Sequence, residues 1–143
     1  MIGLIIIGHG IFPTGILSSL KLIAGEQKGV IGVNFECGQG VDILKKNIEN
    51  AIDSLNTDEV LILSDLAGGS PFNVSVIISE NRKDKKIRVI SGVNLPMALE
   101  ASLSRNDHTM EKLVEAIKTA ATIGIREYKK KEIKESVEIC DGI

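Results

Sequence analysis

Three short segments of this 143-residue chain carry residue types that could do chemistry together. They are Gly8-His9-Gly10, the run from Ser64-Asp65 through Gly68-Gly69-Ser70-Pro71-Phe72-Asn73, and Ser91-Gly92-Val93-Asn94-Leu95-Pro96. An imidazole flanked by two glycines can be approached closely and can act as a nucleophile. A carboxylate accepting a hydrogen bond from one ring nitrogen fixes the tautomer and leaves a lone pair on the other nitrogen. Gly68-Gly69-Ser70-Pro71 supplies an anion site in the same way: Ser70 suits an N-cap, Pro71 suits the first helical position, and a helix N-terminus attracts phosphate. Each feature also has an ordinary explanation. His9 could be a hydrogen-bonded histidine that closes a strand, Asp65 could cap a turn, and Gly-Gly-Ser-Pro could be a tight strand-to-helix connection without a ligand. Taken together, a nucleophilic His9, an orienting Asp65 and an anion-friendly helix start suggest phosphoryl transfer through phosphohistidine.

The elements that would bring these segments together are legible as an alternation. Apolar runs at Ile2–Ile7, Val30–Phe35, Val60–Ser64 and Ile87–Ser91 lack clean polar alternation, which is how strands covered on both faces read. Between them, helical spacing appears at Ile16, Leu17, Leu20 and Ile23, at Ile43, Leu44, Ile48, Ile52 and Leu55, and at Val74, Ile77 and Ile78. Such a pattern predicts a three-layer α/β sandwich: a four-stranded parallel sheet with helices on both faces. Ligands in such sheets bind beyond the carboxyl ends of the strands, and the three segments follow three of the runs, so they should share one rim. A short helix is expected over Leu95–Leu103 and a longer one from Met110 to about Tyr128, with Leu113, Ile117, Ala120, Ala121 and Ile125 inward. After the charged junction Lys129–Lys131, Ile133, Val137 and Ile139 fall on alternate positions. That suits an antiparallel edge strand added to the sheet or reaching into a partner, and it favours a homodimer. One domain over residues 1–143 is expected, with the tail beginning at about 131.

Composition excludes several classes. Seventeen Lys plus Arg against nineteen Asp plus Glu leave a net charge of −2, which offers no basic face for nucleic acid. No run approaches the roughly 18 apolar residues of a membrane span, and no basic start precedes the first apolar run, so a soluble, cytoplasmic chain is expected. Cys37 and Cys140 have no spacing that suggests a zinc site or redox pair and read as ordinary thiols. The chain has no GxxxxGK[ST] loop, no GxGxxG after the first run and no metal-ligand cluster, so neither cofactor nor metal is expected. The phosphoryl donor is then another phosphorylated protein or a small molecule.

With Gly8-His9-Gly10, the Asp65–Asn73 block, Gly92-Val93-Asn94-Leu95-Pro96 and the Gly25-Glu26-Gln27 turn, the chain resembles the mannose-type enzyme IIA components of the bacterial phosphoenolpyruvate-dependent sugar phosphotransferase system. The likeness runs from Met1 to about Lys129. It implies that His9 receives a phosphoryl group from the phosphocarrier protein HPr and passes it to an enzyme IIB, upstream of membrane IIC and IID components. It implies that Asp65 is the carboxylate bonded to His9, and that Ser70 with the backbone of Gly68 and Gly69 is the phosphate-facing helix start. It further implies a fifth, antiparallel strand exchanged across a homodimer. Leu66-Ala67 departs from the aromatic-containing pair of some members, and Gly10-Ile11-Phe12 is closer to relatives serving amino sugars or uronate disaccharides. The alternatives are a non-enzymatic module that binds a phosphorylated metabolite, and the phosphocarrier subunit of a dihydroxyacetone kinase. A response-regulator receiver fits poorly, because His9 stands where its acidic metal ligands belong.

Overall fold

The computed structural model describes residues 1–132. Four strands, β1 (Gly3–His9), β2 (Val30–Phe35), β3 (Glu59–Ser64) and β4 (Lys86–Ser91), alternate with helices α1 (Phe12–Ala24), α2 (Val41–Ser54) and α3 (Ser70–Asn81). Helices α4 (Leu95–Ser104) and α5 (Met110–Ile123) follow. All strand pairs are parallel, in the order β2-β1-β3-β4. The three-layer α/β architecture is therefore the expected one. The alternating tail at Ile133, Val137 and Ile139, and Cys140, lie outside the described residues.

The central strands explain why their sequences show no polar face. Leu4 and Ile6 of β1 join Leu61 and Leu63 of β3 in a core closed by α1, α4 and α5. Ile5 and Ile7 join Val60 and Ile62 in a second core closed by α2 and α3. Successive side chains point to opposite faces, so a strand sandwiched between two helical layers must be apolar at every position. In α2, Leu44, Ile48, Ala51 and Ile52 form the buried stripe expected for a helix laid on a sheet.

Several boundaries and inward positions differ from expectation. Strand β1 continues through His9, so the histidine is its last residue. Helix α5 ends at Ile123 rather than near Tyr128, and Ile125 is 79% exposed instead of inward. Gly124 follows, with its Cα so close to the Pro96 ring that an added Cβ would stand 2.6 Å from Pro96 Cγ. The weak helix propensity of glycine suits a stop there. Ile23, Ile43 and Ile77 face solvent although their spacing fits the helical stripes. A single sheet face covers a narrower arc of each helix than the apolar residues span.

Candidate functional site

Strand order reverses between β1 and β3: the chain steps from β1 outward to β2, then returns to the other side of β1. The crevice at such a reversal, beyond the strand ends, is where open α/β sheets bind ligands. His9 ends β1, and Asp65 immediately follows β3 on the neighbouring strand. The Asp65 N–H donates to Ile7 O at 3.1 Å, carrying the pairing one step past the end of β3.

One carboxylate oxygen holds the histidine twice. Asp65 Oδ2 accepts the His9 backbone N–H at 2.9 Å and lies 2.8 Å from ring Nδ1. The other oxygen, Oδ1, accepts the Leu66 N–H at 2.7 Å. With Nδ1 as the donor, Nε2 carries the free lone pair. Burial raises the Asp65 pKa, but the His9 backbone N–H, the His9 ring and the Leu66 N–H outweigh it and hold the carboxyl below its ordinary value. The Asp65 side chain is 16% exposed and that of His9 48%, so the carboxylate is sheltered while the ring opens to solvent.

The glycines serve in different ways. Gly10 (φ 59°) and Gly68 (φ 80°) occupy the left-handed region that other residues reach with strain. Gly8 makes room: a Cβ there would come within 2.9 Å of Asp65 Cγ. Gly69 is the N-cap of α3 and Ser70 its first residue, without a side-chain capping bond. Ser70 is therefore not the N-cap that its position before proline suggests; the cap falls one residue earlier, where Gly69 takes an extended conformation. The Gly69 N–H closes a turn onto Leu66 O at 3.3 Å, and Asn73 Nδ2 donates to Gly68 O at 3.0 Å.

The third segment meets the same rim with a structural role for Asn94. Its Oδ1 caps α4 by accepting the Met97 N–H at 3.0 Å, while Nδ2 donates to Ala121 O of α5. His108 lies between α4 and α5, with Nδ1 3.0 Å from Ser104 O. Phe35, the last residue of β2, sits opposite His9 in the strand register and packs edge-to-face on its ring, with centroids 6.0 Å apart. Sequence reasoning passed over it. The rule that singles out residues at strand ends applies equally to the second strand and was the available signal. Among the described residues no three His, Cys, Asp or Glu side chains converge as a metal site, and no helix is long and apolar enough to cross a membrane.

Fold and site together define an α/β domain with a carboxylate-oriented histidine at the topological switch point. Residues 3–118 match the family model described as the fructose IIA component of the phosphotransferase system. The chain is 38% identical over 109 residues to the fructose-specific EIIA component of Bacillus subtilis, covering 76% of this chain and 73% of that protein. It is 30% identical over 135 residues to the mannose-specific EIIAB component of Escherichia coli K12, covering 92% of this chain but 41% of that longer protein. Among solved structures, the EIIA component from Streptococcus agalactiae superposes with a TM-score of 0.84 at 44% identity, covering 89% of this chain and 97% of that one. This chain belongs to the mannose-type EIIA family of phosphotransferase-system components.

Proposed function

We propose that this protein is a cytoplasmic phosphocarrier that takes a phosphoryl group from phospho-HPr onto His9 Nε2 and delivers it to an enzyme IIB. The observation that carries the reading is the double grip of Asp65 Oδ2 on the backbone and ring of His9, beside a half-open ring edge. In the transfer, the Nε2 lone pair attacks phosphorus as the bond to the donor's histidine nitrogen breaks. That nitrogen leaves with the bonding pair, and the ring positive charge on His9 is shared with Nδ1–H, where the Asp65 carboxylate stabilises it. Delivery to enzyme IIB runs the same steps with the acceptor as nucleophile. Ser70, with the backbone of Gly68 and Gly69, stands at the positive end of α3, where a phosphoryl group on Nε2 meets a favourable potential.

The partners follow from the family's general role: HPr as donor, an enzyme IIB as acceptor, and membrane IIC and IID components further on. Residues 1–143 act as a single domain and assemble as a homodimer through the tail from about 131. In support, β4 is an edge strand among the described residues and borders an open groove of about 580 Å³ lined by Val89, Ile90, Met97, Val114 and Ala121. An unpaired edge beside apolar side chains is suited to accept another strand.

The test is intact mass after incubation with phosphoenolpyruvate, enzyme I and HPr. The expected result is one acid-labile, base-stable phosphoryl adduct on the parent and none on His9→Ala. An unmodified parent beside phosphorylated HPr would overturn the reading in favour of a phospho-metabolite-binding module.

A further inference from the structure

The hydrogen bond at Nδ1 restrains rotation about the Cβ–Cγ bond, but the angular tolerance of a hydrogen bond still lets the ring tilt about that contact. Two other residues lie close against His9. Phe35 meets the ring edge-to-face at an interplanar angle of 63°, and its main-chain carbonyl accepts the Gly10 N–H at 2.7 Å. A single residue of β2 therefore packs on the ring and holds the backbone just beyond it.

Gly69 also lies against the ring, and its glycine requirement has an unusual origin. Its φ of −74° and ψ of 161° suit any residue, so no backbone angle demands glycine there. A Cβ at this position would stand 2.7 Å from His9 Cε1 and 3.4 Å from Nε2. The space that a side chain would need is already filled by the histidine.

Building on the phosphoryl-transfer reading, we infer that Phe35 and Gly69 are positioning residues that hold the His9 ring in one orientation, with Nδ1 on Asp65 and Nε2 beside the start of α3. The arrangement matters because in-line transfer depends on where the attacking nitrogen sits; a displacement of about 1 Å can cost about 100-fold in rate. Phe35 acts only through His9, whereas the Gly69 main chain also belongs to the helix start that would face the phosphoryl group, so the tautomer rather than the rate isolates its hold on the ring.

The experiment uses the full chain with ring-labelled histidine and compares the parent with Gly69→Ala, Phe35→Leu and Phe35→Tyr. Circular dichroism first establishes that each variant is folded. Nitrogen NMR of the unphosphorylated protein then reads the His9 tautomer, and rapid-quench assays with phospho-HPr read the transfer rate. The parent should show the Nδ1–H form. Gly69→Ala should lose that single form and slow by roughly 10- to 100-fold, with part of the phosphoryl group appearing on Nδ1 instead of Nε2. Phe35→Leu should shift the same way by about tenfold, and Phe35→Tyr, which keeps the aromatic edge, should restore parental behaviour.

Parental nitrogen signals in folded Gly69→Ala and Phe35→Leu would overturn the inference, whatever the rates. If the parent takes no phosphoryl group from phospho-HPr, the proposed function fails. The tautomer measurement, made without any donor, still decides whether the two residues hold the ring.

Discussion

At the carboxyl end of the sheet, sheltered Asp65 directs one oxygen to a half-exposed histidine. At the amino end, Arg105 is enclosed, 3% exposed, and directs its donors to main-chain carbonyls. Arg105 Nη1 donates to Ile2 O at 3.1 Å and Gly29 O at 2.8 Å, Nη2 to Lys28 O, and Nε to Ser102 O. No acidic side chain pairs with it among the described residues, and burial alone pulls its pKa down. Both ends hold a charged group by hydrogen bonds, yet only the rim leaves a ring nitrogen open to react. Arg105 gathers the start of β1, the approach to β2 and the end of α4 into one clasp. The contrast sets a closed clasp on main-chain carbonyls at one end of the strands and an accessible imidazole at the other.

Asp65→Asn should have the largest effect on this contrast. The amide can stabilise the wrong tautomer of His9, so phosphoryl transfer from phospho-HPr should fall by about 10²- to 10⁴-fold while the circular dichroism spectrum stays parental. A parental rate in rapid-quench assays would separate His9 chemistry from Asp65. At the opposite end, Arg105→Met should cost about 2–4 kcal/mol in urea unfolding, because several carbonyls lose their donor in a buried place. Transfer per folded molecule should be unchanged; a matching loss of rate would show that the clasp and the rim are coupled.

The smallest effect is the pH dependence of the rim. The Asp65 carboxyl is held below its ordinary pKa in the folded chain, so its contribution to stability is fully present above the unfolded carboxylate pKa of about 3.9. As pH falls through the folded value, that contribution disappears. The stability difference between parent and Asp65→Asn should therefore narrow as the pH falls below about 4. A difference that grew on acidification would contradict the direction of the shift.

Much of this architecture is legible in residue order. Unbroken apolar runs at Leu4–Ile7 and Val60–Leu63 announce strands covered on both faces, and the residues following them are those gathered at the rim. Other features have no local signature. Arg105 follows a helix as many solvated arginines do, and its enclosure depends on carbonyls up to 103 positions away. Phe35 reads as the end of an apolar strand, and its contact with His9 depends on β1–β2 register. Ser70 before proline looks like a cap, but the backbone angles move that role to Gly69.

Sequence by itself determined the alternation of strand and helix, the double-faced burial of the central strands and the residues able to do chemistry, because these follow from side-chain type and short-range period. Only the tertiary structure decided that β1 lies between β2 and β3, that His9 and Asp65, 56 positions apart, meet at 2.8 Å, and that Gly69 and Phe35 close on the same ring. Those distances depend on strand order and register. Both are settled by the packing of all layers at once rather than by any single stretch of chain.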